Sequence, residues 1–319
     1  MLLLDGETIL NLVSLDEVMD WIEDAYRIYS KGSFSMPHRI HVDYKDKTVL
    51  YMPCFMGGVV FGTKILTVIP KNREIGKPVI DGLMQLNHYE TGETLAVLDG
   101  RILTALRTGA VGGAAMRYTT PENMSTLGLI GAGTQGYYQV LYACRARNIK
   151  QVYVFDVDTR TLAGFRQRLS QALPHVDIIA ASCSELLLRE SEAIITATTS
   201  LEPVVPDDES LLEGKHFIGI GSYKPNMREF PDALFRLVEK VYIDTEIARE
   251  ETGDLVHPLS TGLISESQIE TFDTLIGNSG HRQPIGNGTT LFKSVGMALF
   301  DLVVSWRVYQ KSLALSSGT

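Results

Sequence analysis

The sequence predicts an α/β protein in which a doubly wound parallel sheet is inserted into a second, α+β domain. Two observations predict the sheet. From Thr126 onward short apolar runs alternate with helical stretches, and the first run leads into glycines spaced GxGxxG at Gly131, Gly133 and Gly136. A third predicts the insertion: the pattern changes character near Pro121, and the strongly apolar, helix-periodic segment Thr289 to Ser312 has no further strand after it, so it is expected to return to the first domain.

The elements follow in order. Leu15 to Ser30 carries Val18, Ile22, Ala25 and Ile28 at helical spacing. Val49–Pro53, Gly62–Ile69, Gly82–Tyr89 and Thr94–Leu98 read as strands, and Glu90-Thr91-Gly92-Glu93 as the hairpin turn joining the last two, which gives a mostly antiparallel sheet. Ile102 to Tyr118 is a helix crowded with Ala105, Ala110, Gly112, Gly113, Ala114 and Ala115, so another helix or a ligand is expected to approach it closely. Beyond Pro121, Thr126–Ile130, Gln151–Asp156, Val176–Ala181, Glu192–Thr198, His216–Ile220 and Val238–Ile243 supply strands for the parallel sheet.

Composition narrows the function classes. A chain of 319 residues with 45% hydrophobic and 21% charged residues is long enough for about two domains of a soluble globular protein. The net charge of −9 opposes non-specific binding to nucleic acid or anionic membrane. Cys54, Cys144 and Cys183 are few, odd in number and widely spaced, as expected of reduced cytoplasmic residues and not of a disulfide framework or a metal site. The N-terminus has no basic region before its apolar residues, which argues against a secretory signal, and Gln135 and Gln139 argue against a membrane span in the uncharged stretch that contains them.

The glycine motif carries the first chemistry. Gly131 supplies the tight turn after the strand, Gly133 lets backbone approach a pyrophosphate, and Gly136 allows the next helix to pack on the sheet. Free N–H groups at that helix's start, around Thr134 and Gln135, favour phosphate charge. The second strand ends at Asp156, about 20 residues beyond the last glycine, where a carboxylate suits the ribose hydroxyls of NAD and repels a 2′-phosphate. Arg160 lies close by in sequence and leaves NADP open. Thr198 and Thr199 follow the fourth strand, and Gly219, Gly221 and Ser222 the fifth, at the strand ends where open sheets of this kind bind ligands.

The other candidates lie outside that motif. Lys64 sits among Phe61, Ile65 and Leu66, where an ammonium without a partner is costly. It is therefore either paired in a cleft, binding an anion or moving a proton, or snorkelling from a strand edge. By their neighbours alone, Arg39 and Arg107 read as surface arginines.

Taken in order, Arg39 after Met36-Pro37-His38, Gly62-Thr63-Lys64, Leu103-Thr104-Ala105-Leu106-Arg107-Thr108, the Gly131 motif, Thr196-Ala197-Thr198-Thr199 and Ser294-Val295-Gly296 resemble the ornithine cyclodeaminase and mu-crystallin family over nearly the whole chain. The resemblance implies a Rossmann domain, residues 121–296, inserted between the pieces 1–120 and 297–319 of a substrate-binding domain that also makes a homodimer. It implies hydride exchange with imino or amino acids. Arg39 then binds the substrate carboxylate, Arg107 contacts carboxylate and cofactor, and Ser294 and Val295 lie near nicotinamide and substrate unless Ser294-Val295-Gly296 only begins a helix.

One departure separates activities. Members that resemble true ornithine cyclodeaminases carry an acid–base aspartate in a Gly-Ala-Asp segment after the fifth strand, whereas this chain has Gly221-Ser222-Tyr223. A phenol is a poor base near neutral pH, but reducing a preformed imine needs only a carboxylate clamp, hydride and a proton from Lys64, Tyr223 or water. Reduction of a cyclic imino acid is therefore expected, Δ1-pyrroline-2-carboxylate to proline or Δ1-piperideine-2-carboxylate to pipecolate. Ornithine cyclodeaminase is the alternative, followed by amino acid dehydrogenase and a non-catalytic binder of the mu-crystallin kind.

Overall fold

The computed structural model describes residues 1–277 and 288–317. The chain divides into two compact units, one of Met1–Arg107 with the segment from Met297 onward, the other Thr108–Gly296. The first division falls within the helix Gly100–Thr119.

In the first unit, β1 (Leu2–Leu4), β2 (Phe34–Ser35), β3 (Ile40–Tyr44), β4 (Lys47–Met56), β5 (Val60–Val68), β6 (Ile80–His88) and β7 (Thr94–Asp99) form one sheet in the order β1-β7-β6-β5-β4-β2, with β3 also on β4. All its pairs are antiparallel except β1 with β7. Strict alternation buries Leu50, Met52, Cys54 and Met56 of β4 and Val60, Gly62, Lys64 and Leu66 of β5 on one face. Two helices cover that face. Leu15–Lys31 starts at a capping box between Ser14 and Glu17 and stops at Gly32 in the left-handed conformation, φ 65°. Ala298–Ser317 packs on that helix and on the sheet, with Phe300 edge-on to Tyr26 at 5.0 Å. Leu299, Phe300, Leu302, Val304 and Val308 are fully buried, each contributing about 1.5–3 kcal/mol relative to exposure.

In the second unit, β8 (Thr126–Ile130), β9 (Gln151–Phe155), β10 (Asp177–Ala180), β11 (Ala193–Thr196), β12 (His216–Gly219), β13 (Val241–Ile243), β14 (Ile269–Thr271) and β15 (Thr290–Lys293) form a wholly parallel sheet in the order β10-β9-β8-β11-β12-β15-β13-β14. Strand order reverses between β8 and β11, which makes their carboxyl ends the switch point of a Rossmann fold. The crowded helix meets the helix Thr134–Ala146 within this unit. A Cβ on Gly112 would overlap the Gln139 carboxamide, whose nitrogen donates to the Thr108 carbonyl at 2.8 Å.

The expectation of one helical segment from Thr289 to Ser312 is corrected. Thr290–Lys293 is a strand between β12 and β13, and the helix begins at Ala298. Buried on both faces, that strand has no alternation to separate it from an apolar helix. Among the described residues no helix is long and apolar enough to cross a membrane, and no group of His, Cys, Asp and Glu is placed to hold a metal ion.

Candidate active site

The first unit gathers charge around one carboxylate. Lys64 lies at the middle of β5, opposite Met52 on one side and Met84 on the other, with its side chain wholly buried. Its Nζ donates to Asp301 Oδ2 at 2.6 Å, and Arg107 Nε donates to Asp301 Oδ1 at 2.8 Å. Asp301 stands in the first turn of Ala298–Ser317 and is itself fully buried. Burial and the Arg107 charge push the Lys64 pKa down to about 7; Asp301 opposes them, and Arg39 adds to the fall. Arg39, half-buried ahead of β3, therefore acts in the same field. Lys64 and Arg107 thus share one buried carboxylate, with Arg39 in their field. Cys54, also on the buried face, is held as a thiol, its pKa raised to about 12 by burial and by Asp301.

Of the residues singled out in the sequence, Arg39, Lys64 and Arg107 are thus brought together, and Lys64 is paired and not snorkelling. Asp301 was missed. Its signal was present: a lone acid inside the apolar run Met297-Ala298-Leu299-Phe300-Asp301-Leu302-Val303-Val304 needs a buried cation.

The second unit holds the nucleotide candidates at the strand ends. Gly131 follows β8 with φ 110°, which a residue with a Cβ rarely adopts, and its N–H donates to Phe155 O at 2.9 Å. Gly133 caps the helix Thr134–Ala146 without any side-chain cap, and nothing stands within 4 Å of where its Cβ would be. The first-turn N–H groups at Thr134 and Gln135 therefore lie beside open space at Gly133, an arrangement suited to an anion. Gly136 packs against the Gly131 carbonyl so tightly that a side chain would not fit. Gln135 Oε1 is buried without a hydrogen-bond partner among the described residues.

Asp156, just past β9, accepts from the Ala132 N–H at 2.7 Å and from the Asp158 N–H at 2.8 Å, one bond to each carboxylate oxygen. It braces the glycine turn and keeps a lone pair on each oxygen for a further donor. Arg160 is turned to Asp158 at 2.8 Å.

Thr198 lies beyond β11 and Gly221 beyond β12, both at the carboxyl edge of the sheet. Tyr223, in the loop after β12, is half-buried, with Lys224 Nζ 5.9 Å from its ring centroid. Ser294 and Val295 follow β15 and are held by Asp244, whose Oδ2 accepts from Ser294 Oγ at 2.6 Å, Val295 N at 3.1 Å and Gly296 N at 2.6 Å. Sequence reasoning also missed Asp244, although Val241-Tyr242-Ile243-Asp244 repeats the strand-then-acid pattern that drew attention to Asp156.

The chain is similar to known proteins over nearly its whole length. Residues 2–316 match the profile of the ornithine cyclodeaminase/mu-crystallin family. The chain is 32% identical to a Δ1-pyrroline-2-carboxylate reductase of Bacillus cereus, over all of this chain and 98% of that protein. It is 31% identical to an alanine dehydrogenase of Archaeoglobus fulgidus, over all of this chain and 97% of that one. Among solved structures, Thermococcus litoralis Δ1-pyrroline-2-carboxylate reductase in complex with NADH and L-proline superposes with a TM-score of 0.92 at 29% identity, covering 99% of this chain and 98% of that one.

Proposed function

The chain belongs to the ornithine cyclodeaminase/mu-crystallin family, and on that premise we propose that it reduces a cyclic imino acid with NADH, Δ1-pyrroline-2-carboxylate to proline or its six-membered homologue to pipecolate. The observation that carries this reading is the buried Arg107–Asp301–Lys64 group, with Arg39 in its field and the Lys64 pKa brought down to about 7. Such a group fits a substrate that brings a carboxylate to the arginines and an imine nitrogen to the lysine proton.

The glycine turn fits a dinucleotide: Gly133 leaves room for a pyrophosphate, the helix start is uncapped, and Asp156 retains acceptors for ribose hydroxyls. Bound there, NADH supplies the hydride. Arg160 is engaged by Asp158, which favours NADH over NADPH. Thr134 and Gln135 serve the phosphates, and Thr198, Gly221 and Ser294 the nicotinamide end, with Val295 against the substrate.

The substrate is held by Arg39 and by the η nitrogens of Arg107, whose Nε is committed to Asp301. Lys64, with a pKa of about 7, gives a proton to the imine nitrogen as the carbon becomes tetrahedral and regains it from solvent. Tyr223 leaves the loop after β12 without the carboxylate that amine oxidation and ring closure require. An archaeal alanine dehydrogenase structure, 28% identical with a TM-score of 0.89, is described as a dimer with bound NAD, which supports a homodimer as the functional form here.

Monitoring NADH and NADPH absorbance with Δ1-pyrroline-2-carboxylate, with pyruvate plus ammonia, and ammonia release from ornithine, tests the reading. Imine-dependent NADH oxidation exceeding the pyruvate rate is expected. Proline and ammonia from ornithine without imine reduction would overturn it, and a faster pyruvate reaction would assign an alanine dehydrogenase.

A further inference from the structure

Behind the carboxyl ends of β11 and β12 lies a second buried ionic cluster that the proposed reaction does not use. Glu229, Asp254 and Lys293 are all wholly buried. Glu229 Oε1 accepts from the Thr198 N–H at 2.8 Å and the Thr198 hydroxyl at 2.9 Å; Oε2 accepts from the Gly221 N–H at 2.8 Å and the Ser222 N–H at 3.1 Å. Four donors occupy the four in-plane acceptor positions of one carboxylate. Two of them come from the loop after β11 and belong to Thr198; the other two come from the loop after β12.

Lys293 and Asp254 complete the cluster. Lys293, the last residue of β15, places Nζ 3.6 Å from Glu229 Oε2 and 3.0 Å from Asp254 Oδ2. Asp254 Oδ1 in turn accepts from the Glu229 N–H at 2.7 Å and the Phe230 N–H at 3.1 Å, so the carboxylate's own backbone is fixed. Gly221 is matched to the arrangement. A Cβ there would overlap both Thr198 backbone and Glu229 Oε1.

A carboxylate is costly to bury, and a cluster of two acids and one lysine is a poor way to gain stability, since an apolar replacement of the same volume serves a core as well or better. What it does supply is a fixed separation between two loops that share no β-ladder beyond the strand ends. We propose that Glu229 is a positioning residue for the cofactor: it holds the Thr198 and Gly221–Ser222 backbone in the spacing that the nicotinamide half of NAD(H) requires, with Lys293 and Asp254 holding Glu229. The proposal rests on the dinucleotide reading given above.

Glu229→Gln tests it, because the carboxamide keeps the shape but turns an N–H2 toward one pair of donors. Three quantities are compared with wild type: the Kd for NADH from its fluorescence, the KM for the imino acid, and amide hydrogen exchange of the cofactor-free protein. The expected result is an NADH Kd weakened ~10-fold, as for one mismatched buried hydrogen-bond pair. The imino acid KM stays within about twofold, because nothing in the cluster belongs to the Arg39–Lys64–Arg107 group. Exchange speeds up in peptides containing residues 197–200 and 220–223 and not in the rest of the unit.

Unchanged NADH affinity, or exchange that speeds up evenly throughout the unit, overturns the proposal while leaving the dinucleotide reading intact. Wild-type protein that binds neither NADH nor NADPH removes both. Where Glu229→Gln yields no folded protein, Thr198→Val deletes the hydroxyl that donates to Glu229 and accepts from the Ser200 N–H at 3.3 Å, and leaves the ions alone. Its NADH Kd should then rise about threefold, a smaller loss because only one neutral hydroxyl bond to the carboxylate goes, and an unchanged value again overturns the proposal.

Discussion

Asp301 Oδ2 lies 2.6 Å from Lys64 Nζ, and neither side chain is exposed. The same carboxylate takes the Arg107 Nε on its other oxygen, so one acid from the last helix orients a lysine from β5 and an arginine from the helix Gly100–Thr119. Since Asp301 is what holds the Lys64 pKa up against burial and Arg107, its neutral isostere should let that pKa fall below about 7. In Asp301→Asn the reductive kcat/KM, which needs protonated Lys64, is expected to decline at lower pH than in wild type, with a loss of ~100-fold at pH 8 from misorientation and deprotonation together. A pH–rate profile whose alkaline limb does not move would separate Asp301 from Lys64.

The same lysine makes stability depend on pH. Its folded pKa of about 7 lies below the ordinary lysine value of 10.5, so between these values the unfolded chain binds more protons. Stability contributed by this residue therefore rises as pH increases from 7 toward 10.5, and is at its lowest below 7, where the charge is buried in full. Urea denaturation of wild type and Lys64→Met at several pH values should give a difference that grows in favour of wild type from pH 7 to pH 10. A flat difference would mean that Lys64 titrates normally.

Arg39 is expected to act on substrate and not on cofactor. Removing a charge-assisted hydrogen bond to a carboxylate costs ~1.5–3 kcal/mol, so Arg39→Ala should raise the imino acid KM ~10–100-fold. The NADH Kd should remain within about twofold, because the glycine turn lies in the other unit. Steady-state kinetics with a fluorescence titration reads both, and an unchanged KM would take Arg39 out of the site.

The sequence made different parts of the molecule legible to different degrees, for physical reasons. Gly131, Gly133, Gly136 and Asp156 could be read because each is demanded by backbone geometry or by an exposed ligand edge, and such demands constrain residue type locally. Lys64 could be read as paired, since a lysine among apolar residues needs a counterion, but the partner is 237 residues away and no local rule connects them. Strand β15 was hidden because both of its faces are buried, which erases the alternation that marked β4 and β5. Asp244 and Glu229 act largely through main-chain N–H groups of Ser222, Val295 and their neighbours, contacts that any residue type offers, so their partners leave little trace in sequence spacing.

Asp156 has two tasks in the structure, and its replacement should affect them unequally. It accepts from the Ala132 N–H, which steadies the glycine turn, and in the proposed complex it also takes the ribose hydroxyls. Asp156→Ser removes the charge that repels a 2′-phosphate and shortens the acceptor. The ratio of kcat/KM for NADPH over NADH is expected to rise ~10-fold, while the NADH value falls. Parallel assays with the two cofactors decide it: an unaltered ratio would confine Asp156 to bracing the turn.

The proposed homodimer can be tested on the outer face of the first unit's sheet. There the alternation that buries Lys64 turns Ile40, Tyr51, Ile65 and Leu83 outward as one row across β3, β4, β5 and β6, since Ile40 pairs with Tyr51, Tyr51 with Ile65 and Ile65 with Leu83. Phe55 and Phe61 stack beside that row with ring centroids 4.7 Å apart. Ile40, Val42 and Tyr44 are 54%, 51% and 70% exposed, an apolar concentration that a monomer would leave in water. In the proposed homodimer a second copy of the same face would cover it by self-complementarity. Tyr51→Glu with Ile40→Glu places two charges in the middle of each face, four at the interface, without touching the buried side of the sheet. Light scattering should give twice the 35.3 kDa chain mass for wild type and one chain mass for the variant. Equal masses for the two proteins would move the interface elsewhere.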